Sequence, residues 1–203
     1  MRQPTTTRLD AAHTGSPPQG GPARQSGMTL MELIIVMVLV GILVAIGVPS
    51  YRSVTNSSRM SGEANSLLGD LQYARAEAAR EGEPVTVCIS ANGTSCDAAS
   101  TSWQEGWIIF TDINDDQTVD NAGDTVLRVQ RAFSGSDTFQ SNNTDYAVTF
   151  TREGFATVGG NSLIISLHNT NTPGSNYYYR CLEISQAGMM SIQSPSTDAA
   201  NCT

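Results

Sequence analysis

The chain has 203 residues, a formal net charge of −8 and 39% hydrophobic residues; every basic side chain is an arginine. That acidity argues against a broad phosphate-binding surface, because nucleic-acid backbones are held by Lys and Arg. Four cysteines without any Cys-x-x-Cys spacing, with only two histidines, argue against zinc.

Residues 1–26 hold Pro4, Pro17, Pro18 and Pro22 among scattered Gly, Ser and Thr, a composition that reads as a disordered leader. From Leu33 to Val48 no residue carries a charge. Adding Met28 to Met31 brings the apolar length to about twenty residues, which a bilayer-spanning helix needs. Glu32 is the one interruption. A charge within a span costs roughly 2.5–3.5 kcal/mol on insertion scales, so its presence asks for a reason. A cleavable secretory signal would have a shorter apolar core and a small-residue cleavage site. Here Pro49-Ser50-Tyr51-Arg52 and a helical pattern follow instead. Pro49 removes a backbone donor inside that helix and is expected to kink it.

Past Tyr51 the pattern is amphipathic: Met60, Ala64, Leu67, Leu71, Ala74 and Ala78 share one helical face. Arg59, Glu63, Asp70, Glu77 and Arg80 fall largely elsewhere and are expected to meet solvent or neighbouring molecules. Gly82 supplies a helix stop. After Pro84 the period changes to two, with Val85, Val87 and Ile89 on one face of a strand. Further strands are predicted at Trp107–Thr111, Thr125–Phe133, Tyr146–Thr151, Phe155–Val158, Leu163–Leu167, Tyr177–Ser185 and Met189–Gln193, separated by Gly, Asn, Asp and Ser clusters. One long N-terminal helix followed by short antiparallel strands makes an α+β architecture, the helix packed on a sheet. Cys88, Cys96, Cys181 and Cys202 all lie beyond the apolar run. An even count in an oxidising compartment suggests two disulfides. Three pairings are possible, and sequence proximity favours Cys88–Cys96 with Cys181–Cys202.

Gly27 ahead of the apolar run, Glu32 five residues after it and Pro49 at its close resemble the N-terminus of type IV pilins and type II secretion pseudopilins. The resemblance implies that a prepilin peptidase cuts between Gly27 and Met28 and methylates the new N-terminus. Phenylalanine is usual there, so Met28 is a mild departure. It also gives Glu32 a partner: in a filament core an isolated carboxylate is strongly disfavoured, and the cationic amine at Met28 of a neighbouring subunit would neutralise it. The organisation expected is a cleaved leader at 1–27, a membrane-spanning and filament-core helix at 28–50, an amphipathic continuation at 51–82 and a β-rich periplasmic domain at 83–203. Arg2, Arg8 and Arg24 outweigh Asp10 in the leader, so the N-terminus is expected in the cytoplasm; the resemblance implies a single pass through the inner membrane.

Ala74 to Ala78, then Cys88, then Gly106-Trp107 running into an acidic turn, narrow the resemblance to the GspH/FimT family of minor pseudopilins and minor pilins. The exit at Val48 to Tyr51 favours the type IV pilus branch over the type II secretion branch. Some pilus-branch members are linked to DNA uptake through a Gly-Arg-x-Arg-like motif. The matching place here is Gly188-Met189-Met190-Ser191, with both arginines absent and only Arg180 nearby, so nucleic acid is disfavoured as a partner.

Asp112, Asn114, Asp116 and Asp120 resemble the start of an EF-hand calcium loop. Gln117 stands where that loop needs glycine and Gly123 where it needs glutamate, and hairpin turns are rich in Asp, Asn and Gly for conformational reasons alone. A turn is the preferred reading and calcium the weak alternative. Trp103, Trp107 and Phe110 read as core or cross-strand pairs, and one of Tyr177, Tyr178 and Tyr179 faces outward by alternation. His168, in LHNTNTPGS, reads as a solvated loop histidine without a nucleophile elbow. No catalytic constellation and no cofactor are implied. The expectation is a structural subunit that joins other pilins in a filament and helps assembly or initiation, with a type II secretion pseudopilin and a DNA-binding minor pilin as alternatives.

Overall fold

The structure, a computed structural model, describes residues 27–120, 123–169, 179–193 and Cys202. The chain divides into two units, Met1–Ile46 and Gly47–Thr203.

In the first unit Thr29 starts the helix α1 (Leu30–Glu81). Its carbonyl accepts the N–H of Leu33 at 3.1 Å and its hydroxyl accepts the N–H of Glu32 at 3.2 Å. A threonine cap with glutamate three residues on is the capping-box pattern, and it satisfies a donor the first turn leaves open. The helix therefore begins two residues later than Met28. Every described residue of this unit is exposed, the apolar ones included.

In the second unit α1 buries Met60, Ala64, Leu67, Leu71, Ala74 and Ala78, the face its periodicity announced. It runs through Pro49 and ends at Gly82, whose φ of 77° is a left-handed stop and whose N–H bonds the Ala78 carbonyl at 3.0 Å. Two antiparallel sheets follow. The first has the order β3-β2-β1-β5-β6, with β1 (Val85–Ile89), β2 (Gly106–Thr111), β3 (Val126–Arg131), β5 (Ala147–Phe150) and β6 (Ala156–Thr157). The second has the order β4-β7-β8-β9, with β4 (Asp137–Ser141), β7 (Ser162–Asn169), β8 (Tyr179–Ser185) and β9 (Met190–Gln193). A single 3-10 turn at Trp103–Glu105 precedes β2. Val85, Val87, Ile89, Trp107, Ile109, Leu163, Ile165, Leu167, Leu182 and Ile184 join the helix face in one core. The molecule is α+β, a long N-terminal helix on antiparallel sheets.

Two differences from the sequence reading have clear causes. Strand β4 lies within a Ser-, Gly- and Asn-rich stretch that reads as a loop, yet Phe139 is buried and its neighbours pair with β7 from Asp137↔Asn169 to Ser141↔Ile165. Tertiary pairing overrides weak local propensity. Strand β1 is buried on both faces, not one. Cys88, Ile108, Phe110 and Ala147 make a second small core on the sheet's other face, covered in part by Cys96, Val119, Val126 and Tyr146.

Candidate functional site

The N-terminal segment presents Gly27, Met28 and Glu32 in sequence at the N-terminal end of an exposed apolar helix. Glu32 sits in the first turn, where a carboxylate also complements the partial positive charge of the helix end. The capping pattern Thr29-x-x-Glu32 is legible in the residues; the bond it makes uses the Glu32 backbone N–H, and the carboxylate's local contribution is its charge at the helix end. Leu33, Ile34, Ile35, Leu39, Ile42 and Leu43 are each at least half exposed, so this stretch buries nothing within the chain. An all-round apolar helix needs lipid or other helices to cover it.

The charged residues of the helix's second half are not simply solvent-facing, which corrects the sequence reading. Asp70 accepts the Trp107 indole N–H at 2.9 Å and pairs with Arg128 at 3.1 Å; Arg128 also stacks 3.6 Å over the Tyr73 ring. Arg59 donates to Asp137 at 2.8 Å. Glu63 and Glu77 are buried. Glu77 is held by Arg80, whose hydrogen bond keeps the carboxyl below its usual range. Periodicity shows which side of a helix is apolar, but not that a partner's indole, guanidinium or carboxylate reaches the flank.

In the acidic loop Asp112 is fully buried and already committed. It accepts the Thr86 hydroxyl at 2.7 Å and the N–H groups of Asp116 and Gln117 at 3.0 Å each. Thr86 in turn contacts the Thr149 hydroxyl at 2.7 Å. Gln117 takes a φ of 60°, the left-handed conformation for which a glycine would be the unstrained choice. Asn114 bonds Asp116 at 2.9 Å, and the backbone N–H of Asp120 donates to Asp124. Among the described residues no three His, Cys, Asp or Glu side chains are placed to hold a metal ion. The loop is a turn tied to β1 and β5 through one buried carboxylate.

His168 lies on β7 rather than in a loop, a second correction. Its ring bonds Thr138 Oγ1 and stacks on Tyr179 at 5.4 Å, and burial holds its pKa down. Alternation along β7 places it on the face opposite Leu167. Trp103, Trp107 and Phe110 are all fully buried. Tyr177 and Tyr178 lie outside the described residues. Disulfides join Cys88 to Cys96 and Cys181 to Cys202, each with Cα atoms 5.5 Å apart. The turn at Gly188 brings in no arginine of its own; the Arg75 guanidinium beside it donates to the Gly154 carbonyl at 2.9 Å.

Comparison with known proteins agrees with this arrangement. The family model of the prokaryotic N-terminal methylation motif matches residues 22–48, and that of type II transport protein GspH matches residues 63–188. Over 81 residues the chain is 33% identical to the type IV narrow pilus major component PilA5 of Thermus thermophilus, covering 39% of this chain and 70% of that protein. The fold is similar to that of the type IV minor pilin FimU of Pseudomonas aeruginosa, with a TM-score of 0.51 and 22% identity over 70% of this chain and 92% of that one. The minor pseudopilin EpsH of Vibrio cholerae aligns at a TM-score of 0.45 and 12% identity over 67% of this chain and 97% of that one. Methylation motif, apolar helix and helix-on-sheet domain thus occur in one chain and in order, and the chain belongs to the GspH family of pilin-like proteins.

Proposed function

We propose that this chain is a minor pilin of a type IV pilus. Prepilin peptidase cuts it after Gly27 and methylates Met28; the helix then holds it in the inner membrane until it enters the filament. The N-terminus starts in the cytoplasm and the β-rich domain in the periplasm, as the arginines of the leader and the paired cysteines suggest. The observation that carries the reading is the register of Gly27, Met28 and Glu32 ahead of an apolar helix that buries nothing in its own chain. Partners are other pilins, packed helix to helix, and the subunit acts structurally rather than as an enzyme. Pro49 would let the helix bend where the apolar stretch ends.

Glu32 is the residue whose role is most open to test. In an apolar filament core its carboxylate needs a cation, and the amine of Met28 on the next subunit supplies one. Mass spectrometry of purified filaments is expected to find a chain starting at methylated Met28. Glu32→Ala is expected to remove the protein from filaments while cleavage continues; normal incorporation would sink the pairing.

A type II secretion pseudopilin is the second reading, favoured by the description of the matching family, type II transport protein GspH. Likeness to the pilus component PilA5 and the exit at Val48 to Tyr51 favour the pilus. Recovery of the Met28-started chain in pili, rather than with secretion components, separates the two. DNA capture is disfavoured, because the Gly188 turn offers no arginine and its neighbour Arg75 is engaged.

A further inference from the structure

We propose that Arg59, Glu63 and Asp137 form a proton-gated clasp between α1 and the second sheet, closed when Glu63 carries a proton and loosened when it does not. The cluster sets two buried carboxyl groups against one guanidinium. Arg59 Nε donates to Asp137 Oδ2 at 2.8 Å and lies 3.7 Å from Glu63 Oε1. The other oxygen of Asp137 accepts the Asn169 side-chain amide from β7. Glu63 Oε2 is buried and has no donor among the described residues.

An ionised Glu63 would put a second negative charge beside Asp137 and leave Oε2 without a donor, both costly away from water. A neutral Glu63 removes the repulsion and brings a proton of its own, with the Asp137 carboxylate as acceptor. The same proton then links helix to strand beside the Arg59–Asp137 pair. Burial above all, and then the Asp137 charge, push the Glu63 carboxyl from 4.5 up to about 7, with Arg59 opposing them.

Among the described residues the charged groups that act on Glu63 are Arg59, from its own helix, which stays charged, and Asp137, from β4, whose other oxygen holds the neutral Asn169 of β7. His168, next along β7, is held below its ordinary value by burial and feels the charge of Asp137. The two titrations act in opposite senses. Glu63 binds its proton more tightly in the folded chain, so its stabilising effect is full below about 4.5 and is lost as pH rises through about 7. His168 binds its proton less tightly when folded, so its effect is present above 6.5 and is lost as pH falls. A difference between wild type and a Glu63 variant cancels the histidine and leaves the clasp.

The test uses the full-length chain in detergent micelles, melted while following tryptophan fluorescence from about pH 5 to about pH 8.5. Glu63→Gln keeps the shape and cannot ionise. Relative to this variant, wild type is expected to lose several degrees of melting temperature as pH rises through about 7. A second readout needs no variant: the side-chain carboxyl of Glu63, followed by carbon NMR in the wild-type chain, is expected to titrate near 7 rather than near 4.5. Parallel pH profiles for the two chains, or a midpoint near 4.5, would overturn the proposal. Should Glu63→Gln not fold, the NMR midpoint alone decides.

Discussion

Leu43 and Leu67 are the same residue on the same helix, yet Leu43 is 70% exposed and Leu67 fully buried. The described residues of the first unit, Gly27 to Ile46, are largely apolar and none is buried, whereas in the second unit the apolar helix face packs against two sheets. Local propensity makes both stretches helical, so it does not separate them. What separates them is where the apolar surface goes: from Met60 on it is buried within this chain, whereas from Met28 through Val54 it stays exposed. A contiguous exposed apolar surface of that size marks an interaction site.

Substitutions in the two units are expected to part company. Leu67→Ala should destabilise the second unit by about 3 kcal/mol, the usual cost of a cavity in a packed core. Leu39→Ala should leave that stability unchanged and act only on membrane residence and filament entry. Denaturant unfolding of the detergent-solubilised chain measures the difference cleanly, because Trp103 and Trp107 are the two tryptophans of the chain and both are buried in the second unit. Equal losses for the two variants would mean that the apolar helix also supports the domain.

A smaller effect is expected where the helix meets the first sheet through polar groups. Asp70→Ala removes the acceptor of the Trp107 indole and the partner of Arg128. The buried indole N–H of Trp107 loses its bond, at a cost of about 1–2 kcal/mol. Most of that belongs to the indole, because the Arg128 pair is half exposed and exposed pairs contribute little. Arg128→Gln should therefore cost clearly less than Asp70→Ala in the same unfolding measurement.

Much of this molecule was legible in its residues, and what was missed follows a pattern. The helix face, the stop at Gly82 and the strands from Val85 and Trp107 rest on periodicity and glycine, which act locally. The N-terminal methylation motif, matched over residues 22–48, rests on a register of a few residues. The capping role of Thr29 was equally local and was overlooked. Strand β4 and the placement of His168 on β7 depend on pairing between segments some thirty positions apart, and Ser-, Gly- and Asn-rich neighbours hid both. The buried Glu63 was hidden for a related reason: its partner Asp137 sits on the strand that local reading missed.

The smallest effect expected is none at all, and it concerns the acidic loop. A calcium site draws on several oxygen ligands converging on one point. Here Asp112 turns its carboxylate inward to Thr86 and two backbone N–H groups, while Asp124 accepts the backbone N–H groups of Ile113 and Asp120. A cation would have to displace those donors. Millimolar calcium should accordingly leave the melting temperature where a chelator leaves it. Asp112→Ala should lower it in both conditions alike, through a loss of about 1–3 kcal/mol of stability from hydrogen bonds to a buried carboxylate. A calcium-dependent rise abolished by Asp112→Ala would show instead that the loop rearranges to bind the ion.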